Sequence, residues 1–143
     1  MDYERILAAV DLGEHSSRVL SRAKAVAGVT GAKLKVLHVV EYVPVEPMGE
    51  ALLPAVNIEE DLVAGARTRL SELVDAAGLG QAEQRVIAGT IKSEVLREAR
   101  EWPADLVVLG SRERHGLALI LNLTEDAVLH AAPCDVLAVR LPG

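Results

Sequence analysis

Five short apolar runs punctuate the chain: Ile6–Val10, Lys35–Val40, Arg85–Ala88, Leu106–Leu109 and Val136–Val139. Asp11 and Gly13 close the first, and Gly110 closes the fourth. Within each run apolar residues follow one another instead of alternating with polar ones. That pattern predicts strands covered on both faces, as in a parallel sheet.

Helical periodicity fills the intervals. Ser16 or Ser17 is placed to cap a helix with Leu20, Ala23 and Ala27 on one face and Gly28 near its end. Asn57 precedes Ile58-Glu59-Glu60, acidic residues that suit the positive end of a helix dipole. Leu62, Ala66, Leu70, Leu73 and Ala77 then form one stripe. Ser93 opens a shorter helix with Val95, Ala99 and Trp102 inward, and Pro103 stops it. A last helix covers Thr124 to Ala131. Strands alternating with helices predict an open, doubly wound α/β fold with a parallel sheet. Tyr42–Val56 interrupts this order. It holds Pro44, Pro47 and Pro54 and is long for a connection, so it reads either as a binding loop or as packing against the sheet edge.

Composition refines this picture. The 143 residues suit one domain, 1–143. Half the residues are hydrophobic but only 2% are aromatic, with no Phe, so Val, Leu, Ile and Ala must build the core. The net charge of −6 argues against nucleic-acid binding, which needs a basic face. No apolar run approaches the ~18 residues of a membrane span, and the N-terminus lacks a signal-peptide pattern. One cysteine, Cys134, cannot form an internal disulfide, and the expected location is the cytoplasm. The four histidines lack zinc-site spacing, so no metal site is expected. His38 reads as a packed histidine within a strand. Leu109-Gly110-Ser111-Arg112-Glu113 lacks the second glycine of a nucleophile elbow, and no other catalytic set accompanies it. The chain is not expected to be an enzyme.

Several stretches resemble the universal stress protein family. Ile6–Ser16 is similar to its opening strand and turn, Leu37–Glu41 to its second strand, and Asp105–Ser111 to its fourth. Val128–Arg140, with His130-Ala131-Ala132-Pro133-Cys134-Asp135, is similar to its last helix and strand. The resemblance implies a five-stranded sheet in the order 3-2-1-4-5, with a ligand crevice beyond strands 1 and 4, where the winding reverses. It further implies dimerisation through the final strand, Asp135–Leu141, which would otherwise be an apolar edge open to pairing.

In nucleotide-binding members of the family the adenosine lies in this crevice. The resemblance places Ala9, Val10 and Asp11 at the first turn, Val39 against the adenine, and Leu109 and Gly110 on the other wall. Asp11 carries a second reading, as the residue that ends the strand or caps the following helix. The phosphate end departs from the family pattern, which runs Gly-x-x-Gly, about nine residues, then Gly followed by Ser or Thr, so that backbone N–H groups and a hydroxyl reach the phosphates. Gly110 is present, but Glu113 takes the second glycine's position and Asn122-Leu123 the third's. Two unit charges ~4 Å apart repel by about 4 kcal/mol at an effective dielectric near 20. At about tenfold per 1.4 kcal/mol, Glu113 alone opposes a polyphosphate strongly. Arg112 can pair with Glu113 or reach a short phosphate such as that of AMP. The expectation is a non-catalytic, homodimeric stress-response protein that acts on an unidentified protein partner, with ATP binding weak or absent and AMP still accommodated. The alternative is a regulator of such a partner that binds AMP, ADP or ATP.

Overall fold

The computed structural model describes residues 3–41, 52–112 and 123–142, with 52–57, 112 and 123–126 described through their backbone alone. Strands β1 (Arg5–Ala9), β2 (Lys33–Val40), β3 (Glu83–Ala88), β4 (Leu106–Arg112) and β5 (Asp135–Leu141) alternate with helices α1 (Ser16–Thr30), α2 (Leu52–Ala76), α3 (Ile91–Glu101) and α4 (Leu123–Ala131). The strands are parallel and lie in the order β3-β2-β1-β4-β5, as the resemblance implies.

Each face of the sheet carries its own apolar layer. Ile6, Ala8, Val36 and Val108 meet Val19, Leu20 and Ala23 of α1 and Ala66, Leu70 and Val74 of α2. Leu7, Leu37, Val39, Val107 and Leu109 meet Val95, Leu96 and Ala99 of α3 and Val128 of α4. Successive residues of one strand therefore serve opposite layers, which is why the runs are continuously apolar. Cys134 packs at the margin of the second layer, and burial, followed by Asp135 and Asp105, pushes its thiol pKa up. It behaves as a small apolar residue.

Element boundaries differ from the sequence expectation in ways that have local causes. Ser16 lies inside α1, and His15 holds the cap position without a side-chain cap bond. The Ser16 hydroxyl instead donates to Asp11 Oδ1 (3.0 Å). Gly28 lies within the helix. Gly31 ends it, with φ 75°, and its N–H donates to the Ala27 carbonyl. α2 begins at Leu52, not Asn57, so the last part of the proline-bearing connection is helical. Pro54 falls in its first turn, where no N–H is needed. Leu62 of the expected stripe is exposed, whereas Val74, outside that stripe, is fully buried. The helix of 25 residues is about 37 Å long, and among its described side chains those packed on the sheet begin at Val63 and run through Ala66, Leu70 and Val74. α3 opens at Ile91, not Ser93, because Glu41 at the end of β2 accepts the Ile91 N–H (3.2 Å). β4 does not stop at Gly110. It continues to Arg112 because β5 runs beside it, with Gly110 opposite Val139 and Arg112 opposite Leu141.

Two polar features and one close packing contact tie the elements together. Lys35, 6% exposed, points from β2 toward α3 and contacts Glu98 (2.6 Å) and Glu83 of β3 (2.8 Å), 5.5 Å from the centre of the Trp102 ring. Glu98 also receives Arg85 of β3 (3.2 Å). Burial disfavours the Lys35 ammonium, but the bonds to Glu83 and Glu98 outweigh this and raise its pKa. Asp105, just before β4, accepts the N–H groups of Glu4 and Arg5 (2.8 and 2.9 Å), and its own N–H donates to the Arg5 carbonyl (2.8 Å). Those backbone bonds hold the Asp105 carboxyl below its ordinary range. Gly110 has a packing reason. A β-carbon there would lie 2.5 Å from Leu141 Cδ1 and 3.3 Å from Val19 Cγ2, both in the core.

Two outcomes follow from these contacts. Asp105→Asn lowers stability at neutral pH by about 1 kcal/mol, the scale of a partly exposed charge-assisted bond. Because the folded carboxyl has a depressed pKa, its contribution is complete above the ordinary value of 3.8 and fades as pH falls through the folded value below it. Urea unfolding of both proteins should show the difference constant near neutrality and closing in that acid window. Gly110→Ala destabilises by about 1–3 kcal/mol through overpacking, read from the urea midpoint without any ligand.

Candidate functional site

The sheet opens at one place. β1 and β4 pair through Ile6–Leu106, Leu7–Val107 and Ala8–Val108. Beyond Ala8 the ladder between them ends, while β1 stays with β2 through Ala9–Leu37 and β4 stays with β5 through Arg112–Leu141. This parting lies at the C-terminal ends of the two strands where the order reverses, the position at which open α/β sheets take ligands.

Ala9 is the last residue of β1 and lines the α3/α4 side with Val39 and Leu109, both buried. Val10 is buried on the α1/α2 side, and its main chain is engaged. Its N–H donates to the Leu37 carbonyl (3.0 Å), and His38 Nδ1 donates to the Val10 carbonyl (2.8 Å). The latter bond fixes the His38 tautomer with the proton on Nδ1. His38 is thus packed, as expected from its strand position, and it also clamps Val10, the residue just before the crevice turn.

Asp11 begins that turn. Its Oδ1 accepts the Gly13 N–H (2.8 Å) and the buried Ser16 hydroxyl (3.0 Å), so the carboxylate shapes the turn and secures the start of α1. Both readings of Asp11 are compatible with this geometry. Its side chain is exposed at the mouth while one oxygen organises the backbone behind it. Leu12 follows with φ 63°, a left-handed conformation unusual for a leucine, and its carbonyl accepts Arg69 Nη2 from α2 (3.0 Å). Sequence patterning gave no sign of Arg69 or of the His38 clamp, because neither is close in sequence to the turn it holds. The Asp11–Ser16 bond was legible in principle from the short spacing of the two residues.

The phosphate half is described only in part. Gly110 lies within β4, and Arg112 and Leu123 are the last residue of β4 and the first of α4. Glu113 and Asn122, together with the side chains of Arg112 and Leu123, lie outside the described residues. An open groove of about 900 Å³ lies at the opposite end of the sheet, lined by Arg5, Lys24, Lys33, Gly78 and Glu83 among others. The C-termini of α1 and α2 reach it, and Lys24 donates to the Ala77 carbonyl there (3.2 Å). Helix C-termini carry the negative end of the dipole, which makes this groove a poor counterpart for phosphate. Among the described residues, no group of three or more His, Cys, Asp or Glu could hold a metal ion, and no helix is long and apolar enough to cross a membrane.

Residues 2–140 match the model of the Universal stress protein family. Universal stress protein A homolog 1 of Coxiella burnetii (strain RSA 493 / Nine Mile phase I) is 40% identical over 140 residues, 97% of each chain. Among solved structures, the universal stress protein UspA from Lactobacillus plantarum superposes with a TM-score of 0.78 at 22% identity, covering 98% of this chain and 99% of its own. A universal stress protein solved in complex with cAMP superposes with a TM-score of 0.66, also at 22% identity, over 97% of this chain and 98% of its own. The two solved structures share the fold, the Coxiella relative aligns along almost the whole length, and the chain belongs to the universal stress protein family.

Proposed function

We propose that this chain is a non-catalytic, dimeric stress-response protein whose crevice takes an adenine nucleotide with a short phosphate and in which ATP binding is weakened or lost. The observation that carries the reading is the parting of β1 from β4 beyond Ala8–Val108, with Asp11 exposed at its mouth and Ala9, Val39 and Leu109 along one wall. A carboxylate there can accept hydroxyl or amino donors, and the apolar wall suits a base. The relative solved with cAMP carries a single phosphate, which is in keeping with this size limit. Against longer phosphates stand Glu113, where the family has glycine, and Leu123, where it has a hydroxyl. Arg112 is the candidate contact for the one phosphate that remains.

A second reading, regulation of a protein partner by AMP, ADP or ATP, draws on the same adenosine wall. It differs in requiring that the altered loop tolerate a polyphosphate. For the dimer, the support is β5, a sheet edge with Val136 and Leu137 only half-buried and Ala138 exposed. Such an edge is stabilised by pairing with a second copy. A cytoplasmic location fits the family and the single, poorly ionised thiol.

Calorimetry on nucleotide-free protein should give AMP binding that exceeds ATP binding by at least about tenfold, the effect of ~1.4 kcal/mol of repulsion. Glu113→Gly combined with Asn122→Gly and Leu123→Ser should restore ATP binding. Tight ATP binding by the unaltered protein would sink the size limit and favour the second reading. Light scattering should return the mass of two chains, and a monomer at micromolar concentration would remove the dimer.

A further inference from the structure

The β1–α1 turn at the crevice mouth adopts a shape its own sequence opposes. Leu12 has φ 63°, a region that L-residues other than glycine, asparagine and aspartate enter rarely because Cβ crowds the backbone. Two contacts offset this. The Leu12 side chain packs against the α1/α2 apolar layer, and its carbonyl accepts Arg69 Nη2 at 3.0 Å. Asp11 fastens the next residue from the other side, through the Gly13 N–H.

Arg69 is well chosen for this task. It stands beside Leu70, which is 1% exposed, and one turn beyond Ala66, so its backbone is fixed by residues of α2 that pack on the sheet. Its guanidinium reaches past that packed face to the turn, joining residues 57 apart in sequence. A charged donor to a carbonyl is stronger than a neutral one. The contact is also directional, since it is made to the carbonyl whose orientation is set by the Leu12 backbone angle.

We infer that Arg69 is a positioning residue that holds Leu12 in its left-handed conformation and so keeps the Asp11 turn in the shape that receives the ligand. This inference rests on the preceding reading for its ligand and on the Arg69–Leu12 geometry for its mechanism. Without Arg69 the turn samples other shapes, and apparent affinity falls by the fraction of molecules that keep the competent one. The coupling runs both ways: a ligand that favours this shape of the turn tightens its bond to α2.

The test uses the full-length chain and AMP as probe. Arg69→Met should weaken AMP binding about three- to tenfold, corresponding to a competent fraction of about 0.1–0.3. Amide hydrogen exchange at Gly13 and Ser16 should rise by a similar factor while exchange in β1 and β2 stays unchanged. Arg69→Lys, which keeps a donor, should recover part of both effects. Leu12→Gly added to Arg69→Met should recover AMP affinity, because glycine takes the left-handed conformation without a Cβ penalty. The same double variant should be less stable than Arg69→Met, because the Leu12 packing is gone. A purely structural role for Arg69 predicts no recovery of affinity by Leu12→Gly. Unchanged exchange at Gly13 and Ser16 in Arg69→Met, or lost affinity that Leu12→Gly leaves unrestored, overturns the inference. If the unaltered protein binds no adenine nucleotide, the ligand reading falls by itself, and the exchange at Gly13 and Ser16 alone decides the role of Arg69.

Discussion

β1 pairs with β2 on one side and β4 on the other, and its two partners do not follow it to the same depth. Every backbone group in a covered parallel sheet needs a partner, so a strand that loses one neighbour must keep or replace the other. β1 keeps β2 as far as Ala9, and Val10 extends the contact by donating to Leu37. β4 keeps β5 as far as Arg112. Between them the ladder stops at Ala8–Val108, and the crevice is what remains. The helices follow from the same constraint. α1 and α2 cover one face, α3 and α4 the other, and the chain crosses between faces where the strand order reverses.

This dependence explains what the sequence discloses about the fold. The apolar runs located all five strands, since a strand buried on both faces has no freedom to admit polar residues at consecutive positions. Helix ends were less legible, because each is decided by a contact from elsewhere. Glu41, distant in sequence, opens α3 two residues before Ser93. The Ser16 hydroxyl is drawn to Asp11 and does not cap α1. Gly110 looked like the end of a strand and the start of a phosphate loop, yet it lies mid-strand, where Leu141 and Val19 leave no room for a β-carbon.

The site divides along the same line. Ala9, Val10 and Asp11 lie at the end of β1, where its ladder to β4 stops, and Ala9, Val39 and Leu109 share the α3/α4 face. What holds them was hidden, because His38 and Arg69 act through main-chain carbonyls and leave no mark in a pattern of side-chain types. The phosphate half, with Glu113 and Asn122 beyond the described residues, is read from composition alone. There a carboxylate and an amide replace two glycines and an aliphatic side chain replaces a hydroxyl, and only charge and volume bear on the phosphate.

The buried ammonium of Lys35 has a consequence for strand alignment. Strands made almost wholly of Val, Leu, Ile and Ala can slide past one another with little change in apolar contact, so hydrophobicity alone indexes them poorly. A slip of β2 by one residue would turn Lys35 toward the α1/α2 layer, where the surrounding side chains are apolar, and would leave Glu98 buried without its ammonium partner. A slip by two would keep the face but carry the ammonium about 7 Å from Glu83 and Glu98. The ion cluster therefore acts as a detent: it contributes little to the depth of the folded state, and it leaves β2 one place to stop.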